Sequence, residues 1–402
     1  MRIGIFSDVF YPELSGISDS ITMVAPALAA LGHEIHFFVP RYGRKEFAIA
    51  NAAFGKEIDL GPNIFIHRLF SIPSPTPASP QARVVIPTGL RWIWMKRYRL
   101  DVIHVNIFFG TGIEALIASR ALAIPLVGTN HTMIDEFVRN LPLQKILTPI
   151  MLGYDTWYYN RCQFVSGPSQ SILAAMVTRG FTAQHEAISN PVDVSGFAPV
   201  SSERKKELKG VFHFGSPAII LGGRLAPEKK IDVIFRAFPA VLKKFPRATL
   251  GIAGDGSMRQ PLEKLAVELH IADSVHFSGS LNHHTLAHFY NAGDVFAITS
   301  TSETQSLMLM QALACHVPAV GVNAGALPEY ILPDNGMIVA AGDSEALADA
   351  LIVVIKHAHE WVTLHPRAFQ VVQSCNPGYI AKKWESVYAD AIHHYKIIHT
   401  RT

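Results

Sequence analysis

The sequence predicts an α/β protein built from two doubly wound, parallel-sheet domains. Three observations predict it. Short apolar runs alternate with amphipathic stretches from the first residue onward. The alternation lapses once, in the Pro-, Ser- and Gly-containing stretch 191–199, and then restarts. The 402 residues, 49% apolar and 17% charged, suffice for two cores of ordinary domain size and exclude a disordered chain. We expect an N-terminal domain over 1–195 and a C-terminal domain over 196–375. A closing helix within 376–402 can cross back to the N-terminal domain.

Each element has a local reason. Ile3–Phe6 is a buried strand, ending in a loop that carries Gly16. Ser20–Leu31 has helical spacing, and Gly32 closes it as a C-cap. Ile35–Val39, Asp101–Asn106 and Pro125–Thr129 read as strands, with a helix near Gly112–Leu122 between the last two. Phe164–Gly167 leads into Ser169, an N-cap for a helix to Arg179. Ser201–Lys209 is a charged, exposed helix. Beyond it, Ala218–Leu221, Thr249–Gly254, Val275–Ser278, Val295–Thr299 and Ala319–Val322 are strands, and Ile231–Lys244 and Pro377–Tyr395 are helices. Pro73–Pro80 reads as a stiff polyproline-like surface loop, with a proline-reading partner as the alternative.

Charge and cysteine usage narrow the class. A net charge of +3 gives no argument for nucleic acid. Cys162, Cys315 and Cys375 lie far apart, so neither a disulfide framework nor a metal knuckle follows, and a reducing cytoplasm is expected. No apolar run is long enough to span a bilayer. No Asp-x-Asp is present to hold a divalent metal, so no metal site is expected. The histidine pairs at His283, His284, His288 and at His357, His359 read as solvated helix faces.

In open α/β sheets, ligands bind where strands end and helices begin. Four such loops stand out. Gly222–Lys230 (GGRLAPEKK) pairs glycines, which permit close backbone approach, with Arg224 and Lys229, a fork and a point charge suited to a diphosphate. Alone it also reads as an ordinary basic turn. Ser300–Ser306 (STSETQS) crowds hydroxyls at a helix start, an anion site by default. Glu303 would repel phosphate, so it suits sugar hydroxyls; simple helix capping is the alternative. His131, after a strand, can donate to a ligand oxygen or satisfy a buried backbone group. The first loop, Tyr11–Ser18, opens a helix but lacks GxGxxG, which argues against a nicotinamide or flavin site.

Taken in order, these motifs resemble the retaining glycosyltransferases of family GT4, with the GT-B fold, over nearly the whole chain. The carriers are GGRLAPEKK, the GDG at Gly254–Gly256, FSGSL at Phe277–Leu281, TSETQSLMLMQALACHVPAV at Thr301–Val320, NAGALPE at Asn323–Glu329 and NGMIV at Asn335–Val339. MRIGIFSDVFYPELSGISDSI, SIP at Ser71–Pro73 and NHTMIDEF at Asn130–Phe137 resemble bacterial diacylglycerol glucosyltransferases, and related lipid mannosyltransferases share parts of them.

The resemblance implies two domains facing a cleft and a role for each residue. Arg224 and Lys229 hold the donor diphosphate and stabilise the departing charge. The N–H groups of Ser306, Leu307 and Met308 assist. Glu303 binds the donor sugar's hydroxyls, and His131 contacts the sugar near its reacting carbon. Gly16 lets the first loop close over the phosphates, and the base lies by Gly254 and Ser280. Attack on the retained face uses the departing phosphate oxygen as proton acceptor, with no metal or other cofactor. The donor implied is UDP-glucose, with GDP-mannose as an alternative, and the acceptor is a membrane lipid such as diacylglycerol. One departure matters. With seven residues between it and the position of Glu303, the family has a second Glu, which binds the ribose diol; here Gln311 stands in its place, keeping an acceptor oxygen without the charge.

No acidic residue lies between Asp59 and Asp101, while Arg68, Arg83, Arg91, Lys96, Arg97 and Arg99 do. LRWIWMKRYR (Leu90–Arg99) sets Trp92 and Trp94 among cations, a pattern suited to an anionic membrane surface. The alternative packs the tryptophans inward. We therefore expect a cytoplasmic enzyme held peripherally at the inner face of the cell membrane. A soluble acceptor, a sugar-nucleotide epimerase on the same scaffold and a non-catalytic nucleotide-sugar binder are the rivals.

Overall fold

The computed structural model describes residues 1–13, 15–74, 80–131 and 144–399. Leu14 of the first loop, residues 75–79 of the proline run and Thr132–Phe137 of NHTMIDEF lie outside the described residues. The chain divides into two compact units, Met1–Pro191 with Cys375–Thr402, and Val192–Ser374. The division falls at the head of the Pro- and Ser-containing stretch, ahead of residue 195.

The first unit contains β1 (Arg2–Phe6), β2 (Glu34–Pro40), β3 (Ile64–Leu69), β4 (Ser71–Pro73), β5 (Arg83–Val85), β6 (Val102–Val105), β7 (Leu126–Thr129), β8 (Phe164–Gly167) and β9 (His185–Ala187). Seven of these form a parallel sheet in the order β3-β2-β1-β6-β7-β8-β9, and β4 and β5 make a separate antiparallel pair. Alternation along each strand feeds two cores. Ile3, Ile5, Ile35, Phe37 and Val102 point to one face. Phe6, Phe38, Ile103 and Val105 point to the other. Three helices matter below: α1 (Gly16–Ala30), α2 (Gly110–Leu122) and α3 (Gln144–Tyr159). Gly32, at φ 87°, takes the left-handed turn that follows α1.

The second unit contains β10 (Ala218–Gly222), β11 (Thr249–Ala253), β12 (Val275–Gly279), β13 (Val295–Ile298), β14 (Ala319–Val322) and β15 (Gly336–Val339), all parallel, in the order β12-β11-β10-β13-β14-β15. Helices α4 (Ile231–Lys244) and α6 (Ser344–Leu364) cover one face through Ile234, Phe238, Leu347 and Leu351. Helix α5 (Leu307–Ala314) follows β13. The last helix, α7 (Pro377–His399), belongs to the first unit, where Ile380, Trp384 and Tyr388 join the core beneath β1 and β2.

In each sheet the chain builds outward from the first strand on one side and then returns to add strands on the other. The switch points lie between β1 and β6 in the first unit and between β10 and β13 in the second. By the general rule for open sheets, ligands are expected at those carboxyl ends.

Candidate active site

In the second unit, the two loops at the switch point carry GGRLAPEKK and STSETQS. After β10 the backbone passes through Gly223, Leu225 and the tight turn Pro227–Lys229, and Lys230 then adopts the left-handed region at φ 50°. Thr299, which follows β13, donates its hydroxyl to the carbonyls of both Lys229 (3.1 Å) and Lys230 (2.8 Å). That brace ties the Lys229 turn to the neighbouring strand end. Lys229 Nζ reaches Glu303 Oε1 at 2.6 Å. Glu303 is itself buried. Its backbone is held by Ala326 N–H, which donates to its carbonyl at 2.8 Å. The NAGALPE segment comes this close because Gly325 has no side chain: a Cβ there would sit 2.4 Å from the Glu303 carbonyl oxygen.

The other predicted residues of this unit fall into three groups. Arg224 is 67% exposed and pairs with Glu228 at 2.9 Å on its own loop, not with Glu303. Ser306 caps α5, accepting from Leu309 N–H at 3.3 Å, so Leu307 and Met308 lie in the first turn, whose N–H groups have no carbonyl ahead of them in the helix. The Met308 sulfur accepts from the Tyr290 hydroxyl at 2.9 Å. Gln311 lies one turn further on, and its Oε1 is buried without a hydrogen-bond partner.

Gly254 and Ser280 frame the adjacent loops. Gly254 takes φ 137°, and a Cβ there would lie 1.9 Å from the Gly223 carbonyl oxygen. Gly254 N–H donates to the Gly279 carbonyl at 2.7 Å, and Leu225 N–H donates to the Asp255 carbonyl at 2.9 Å. Three strand-end loops are thus laced together by backbone alone, and Ser280 sits exposed at their edge.

The first unit presents a different chemistry. His131 follows β7, and its Nε2 lies 3.0 Å from Asn106 Oδ1 at the end of β6. Its Nδ1 is buried and has no hydrogen-bond partner. Burial pushes the imidazole down to about 4, so it is neutral at physiological pH. His104, between the Tyr388 hydroxyl (2.7 Å) and Thr129 Oγ1 (2.8 Å), is pushed down to about 3 by the same cause. At the end of β1, Asp8 accepts from Val85 N–H and Thr111 N–H at the start of α2, and burial still raises its carboxyl to about 6. Glu13, which accepts from the Tyr42 hydroxyl at 3.0 Å, is raised to about 7, chiefly by burial. Gly16 opens α1 beside Ser15, whose hydroxyl accepts from Ile17 N–H; nothing lies within 4 Å of a Cβ built on Gly16.

Sequence reasoning missed Thr299, Gly325 and Asn106. All three lay inside segments already singled out, and each acts through a backbone or second-residue contact that residue type alone does not announce. Among the described residues, no cluster of three or more His, Cys, Asp or Glu is placed to hold a metal ion.

The basic window needs correction. Three of its six cations meet carboxylates from outside it: Arg68 with Glu57 (2.7 Å), Arg83 with Glu46 (2.9 Å) and Arg91 with Glu114 (2.9 Å). Arg91 therefore anchors the fold instead of facing a membrane. Trp92 and Trp94 lean onto the core, and Trp94 packs against Phe38 and Tyr98. Only Lys96, Arg97 and Arg99 remain exposed, with the Arg97 guanidinium over the Tyr98 ring. The cause is tertiary: a window without acids along the sequence is not one in space.

Comparison with known proteins agrees with this layout. The sequence profile described as Glycosyltransferase Family 4 matches residues 14–195, and that described as Glycosyl transferases group 1 matches residues 204–363. The chain is 27% identical over 345 residues to the alpha-monoglucosyldiacylglycerol synthase of Streptococcus pneumoniae, covering 80% of this chain and 70% of the relative. It is 25% identical to the same-named protein of Acholeplasma laidlawii, covering 98% of each. It is 24% identical to a GDP-mannose-dependent alpha-mannosyltransferase of Mycolicibacterium smegmatis, covering 99% of this chain and 98% of the relative. Among solved structures, sucrose-phosphate synthase from Thermosynechococcus elongatus superposes with a TM-score of 0.73 at 20% identity, covering 98% of this chain and 99% of that one. Anabaena HepE in complex with UDP superposes with a TM-score of 0.73 at 18% identity, covering 97% and 99%. The fold is GT-B, with two Rossmann-like parallel-sheet domains, and the chain belongs to the family 4 glycosyltransferases.

Proposed function

We propose that this glycosyltransferase moves glucose from UDP-glucose to a membrane lipid such as diacylglycerol, with retention at the anomeric carbon, at the inner face of the cell membrane. The observation that carries the transfer chemistry is the Lys229–Glu303 contact at 2.6 Å beside the start of α5. One cation, one carboxylate and the first turn of α5 lie on the two loops of one switch point. In this reading Lys229 leaves Glu303 for the donor diphosphate, and Arg224 swings from Glu228 to join it. Charge developing on the leaving group is then met by groups already in place. Glu303, released, accepts from the sugar's hydroxyls. Neutral His131 is the first unit's polar contribution to the sugar. The leaving phosphate oxygen takes the acceptor's proton, so the reading requires neither a dedicated base nor a metal.

The lipid acceptor and the glucosyl donor rest on the two diacylglycerol-glucolipid synthases among the relatives. Transfer of mannose from GDP-mannose is the second reading, favoured by the nearly full-length mannosyltransferase match. Incubation with radiolabelled UDP-glucose or GDP-mannose, with and without diacylglycerol in mixed micelles, tests both. An α-glucosyl lipid is the expected product. Label appearing only in water-soluble products, or epimerised nucleotide sugar formed without an acceptor, overturns the proposal.

A further inference from the structure

We propose that the outer face of α3 (Gln144–Tyr159) is the surface on which the protein docks to an anionic lipid bilayer, a role the sequence assigned to Leu90–Arg99. The inference rests on the lipid-acceptor reading above. A helix at the edge of a soluble domain turns its apolar stripe inward and its polar residues outward. Helix α3 does the first through Leu147, Met151 and Tyr154, which pack on the core. It does not do the second. Ile146 is 59% exposed, Ile150 60% and Trp157 44%. These positions are spaced four and seven residues apart, so with exposed Gly153 they form one stripe down the helix, about 16 Å long at the usual rise per residue.

The charge around the stripe selects the occupant. The one acidic residue of the helix, Asp155, is fully buried. Lys145 is exposed at one end of the stripe. At the other, the Arg161 guanidinium lies 3.9 Å from the centre of the Trp157 ring and donates to the Trp157 carbonyl at 2.6 Å. An exposed aliphatic stripe with an interfacial tryptophan and a cation at each end matches a bilayer carrying negative headgroups. A second apolar outcrop repeats the pattern: Leu90 (64% exposed) and Ile93 (58%) precede exposed Lys96, Arg97 and Arg99. Among the described residues, no helix is long and apolar enough to cross a membrane, so the contact proposed is peripheral.

Flotation with phosphatidylglycerol-containing vesicles and with pure phosphatidylcholine vesicles tests the assignment. The wild-type protein is expected to float with the anionic vesicles and to be released as salt rises. Ile150→Glu and Trp157→Glu should each lower partitioning about tenfold, the worth of one buried large apolar side chain. Trp157→Phe should retain it, and calorimetric binding of UDP by all variants should match wild type, showing that they fold. Glutamate variants that float like wild type overturn the α3 assignment. So does a solution dimer that Ile150→Glu dissociates, because a second copy then covers the stripe. If the wild type floats on no vesicle but glycosylates micellar diacylglycerol, docking fails and the lipid-acceptor reading stands. If it floats through α3 yet glycosylates no lipid, the functional reading fails and the docking face stands.

Discussion

The two switch points share a topology and differ in charge. Where β10 and β13 diverge, the side chains are ionic: Lys229 against Glu303, with Arg224 exposed alongside. Where β1 and β6 diverge, burial works against charge: His104 and His131 are held neutral, and Asp8 and Glu13 are raised toward neutrality. Under the proposed function the difference has a use: the ionic end suits a departing nucleoside diphosphate, and the uncharged end suits a neutral hydroxyl acceptor. One fold used twice thus supports two kinds of electrostatics.

The largest expected effect is at the charged end. Under the proposed function, Lys229→Ala removes a cation from the leaving group and should lower kcat by about 10²–10³, the usual cost of losing one preorganised donor to a developing anion. Thermal stability should fall as well, by about 1–3 kcal/mol, because the buried Glu303 carboxylate loses its cation partner. A rate loss below tenfold in steady-state transfer assays would remove Lys229 from the chemistry and with it the contrast between the two ends.

Next comes the backbone lacing of the same end. Gly254→Ala forces a Cβ to within 1.9 Å of the Gly223 carbonyl at a φ of 137°. A loss on the order of 3 kcal/mol is expected in denaturant unfolding, since neither loop can yield without breaking the backbone bonds that join Gly223, Leu225 and Gly254 to their neighbours. Gly16→Ala, where nothing lies within 4 Å, should cost under about 1 kcal/mol. Equal losses at the two glycines would mean that the lacing is not what fixes the second site.

The neutral end predicts a pH signature. The folded carboxyl of Asp8 titrates near 6, above its ordinary value of 3.8. The folded state therefore holds the proton more tightly, and the associated stability is fully present below about 4 and is lost as pH rises through about 6. Between pH 5 and 8 the wild type should lose on the order of 1 kcal/mol relative to Asp8→Asn, measured by urea unfolding. Glu13 acts in the same direction. His104 and His131 act in the opposite one, their stability present above 6.5 and lost as pH falls toward about 4. A pH-independent difference between wild type and Asp8→Asn would show that Asp8 is not desolvated as its burial implies.

Much of this was legible from residues alone, and the exceptions share a cause. The alternating strands and the motif loops announce themselves because local pattern and tertiary role coincide. Ile3 and Ile5 are apolar because both faces of the sheet are covered, and Lys229 lies in the strand-end loop that Gly222 and Gly223 open. Strands β3 and β9 are not among the strands the pattern announces, since they carry His67, Arg68, His185 and Glu186; their placement comes from pairing with neighbours. Half of the basic window is hidden for the same reason: Glu46, Glu57 and Glu114 pair Arg83, Arg68 and Arg91 from outside it, while Lys96, Arg97 and Arg99 stay exposed. Gln311 lies between these cases: its identity is plain in the sequence, and its consequence depends on surroundings that are not.

Gln311→Glu gives the smallest and most discriminating effect. The amide oxygen is buried and unpartnered, so the side chain offers an acceptor that the ligand-free protein does not satisfy. A neutral acceptor to a ribose diol is weaker than a charged one by about 1 kcal/mol, so restoring the carboxylate should tighten UDP binding roughly five- to tenfold in calorimetry. Desolvation opposes this gain, because an ionised Glu at a buried position is stable only once the diol arrives. The variant should therefore be slightly less stable than wild type without ligand and at least as stable with saturating UDP. If affinity is unchanged or falls, Gln311 does not face the ribose, and the donor end is arranged differently from the charged site proposed here.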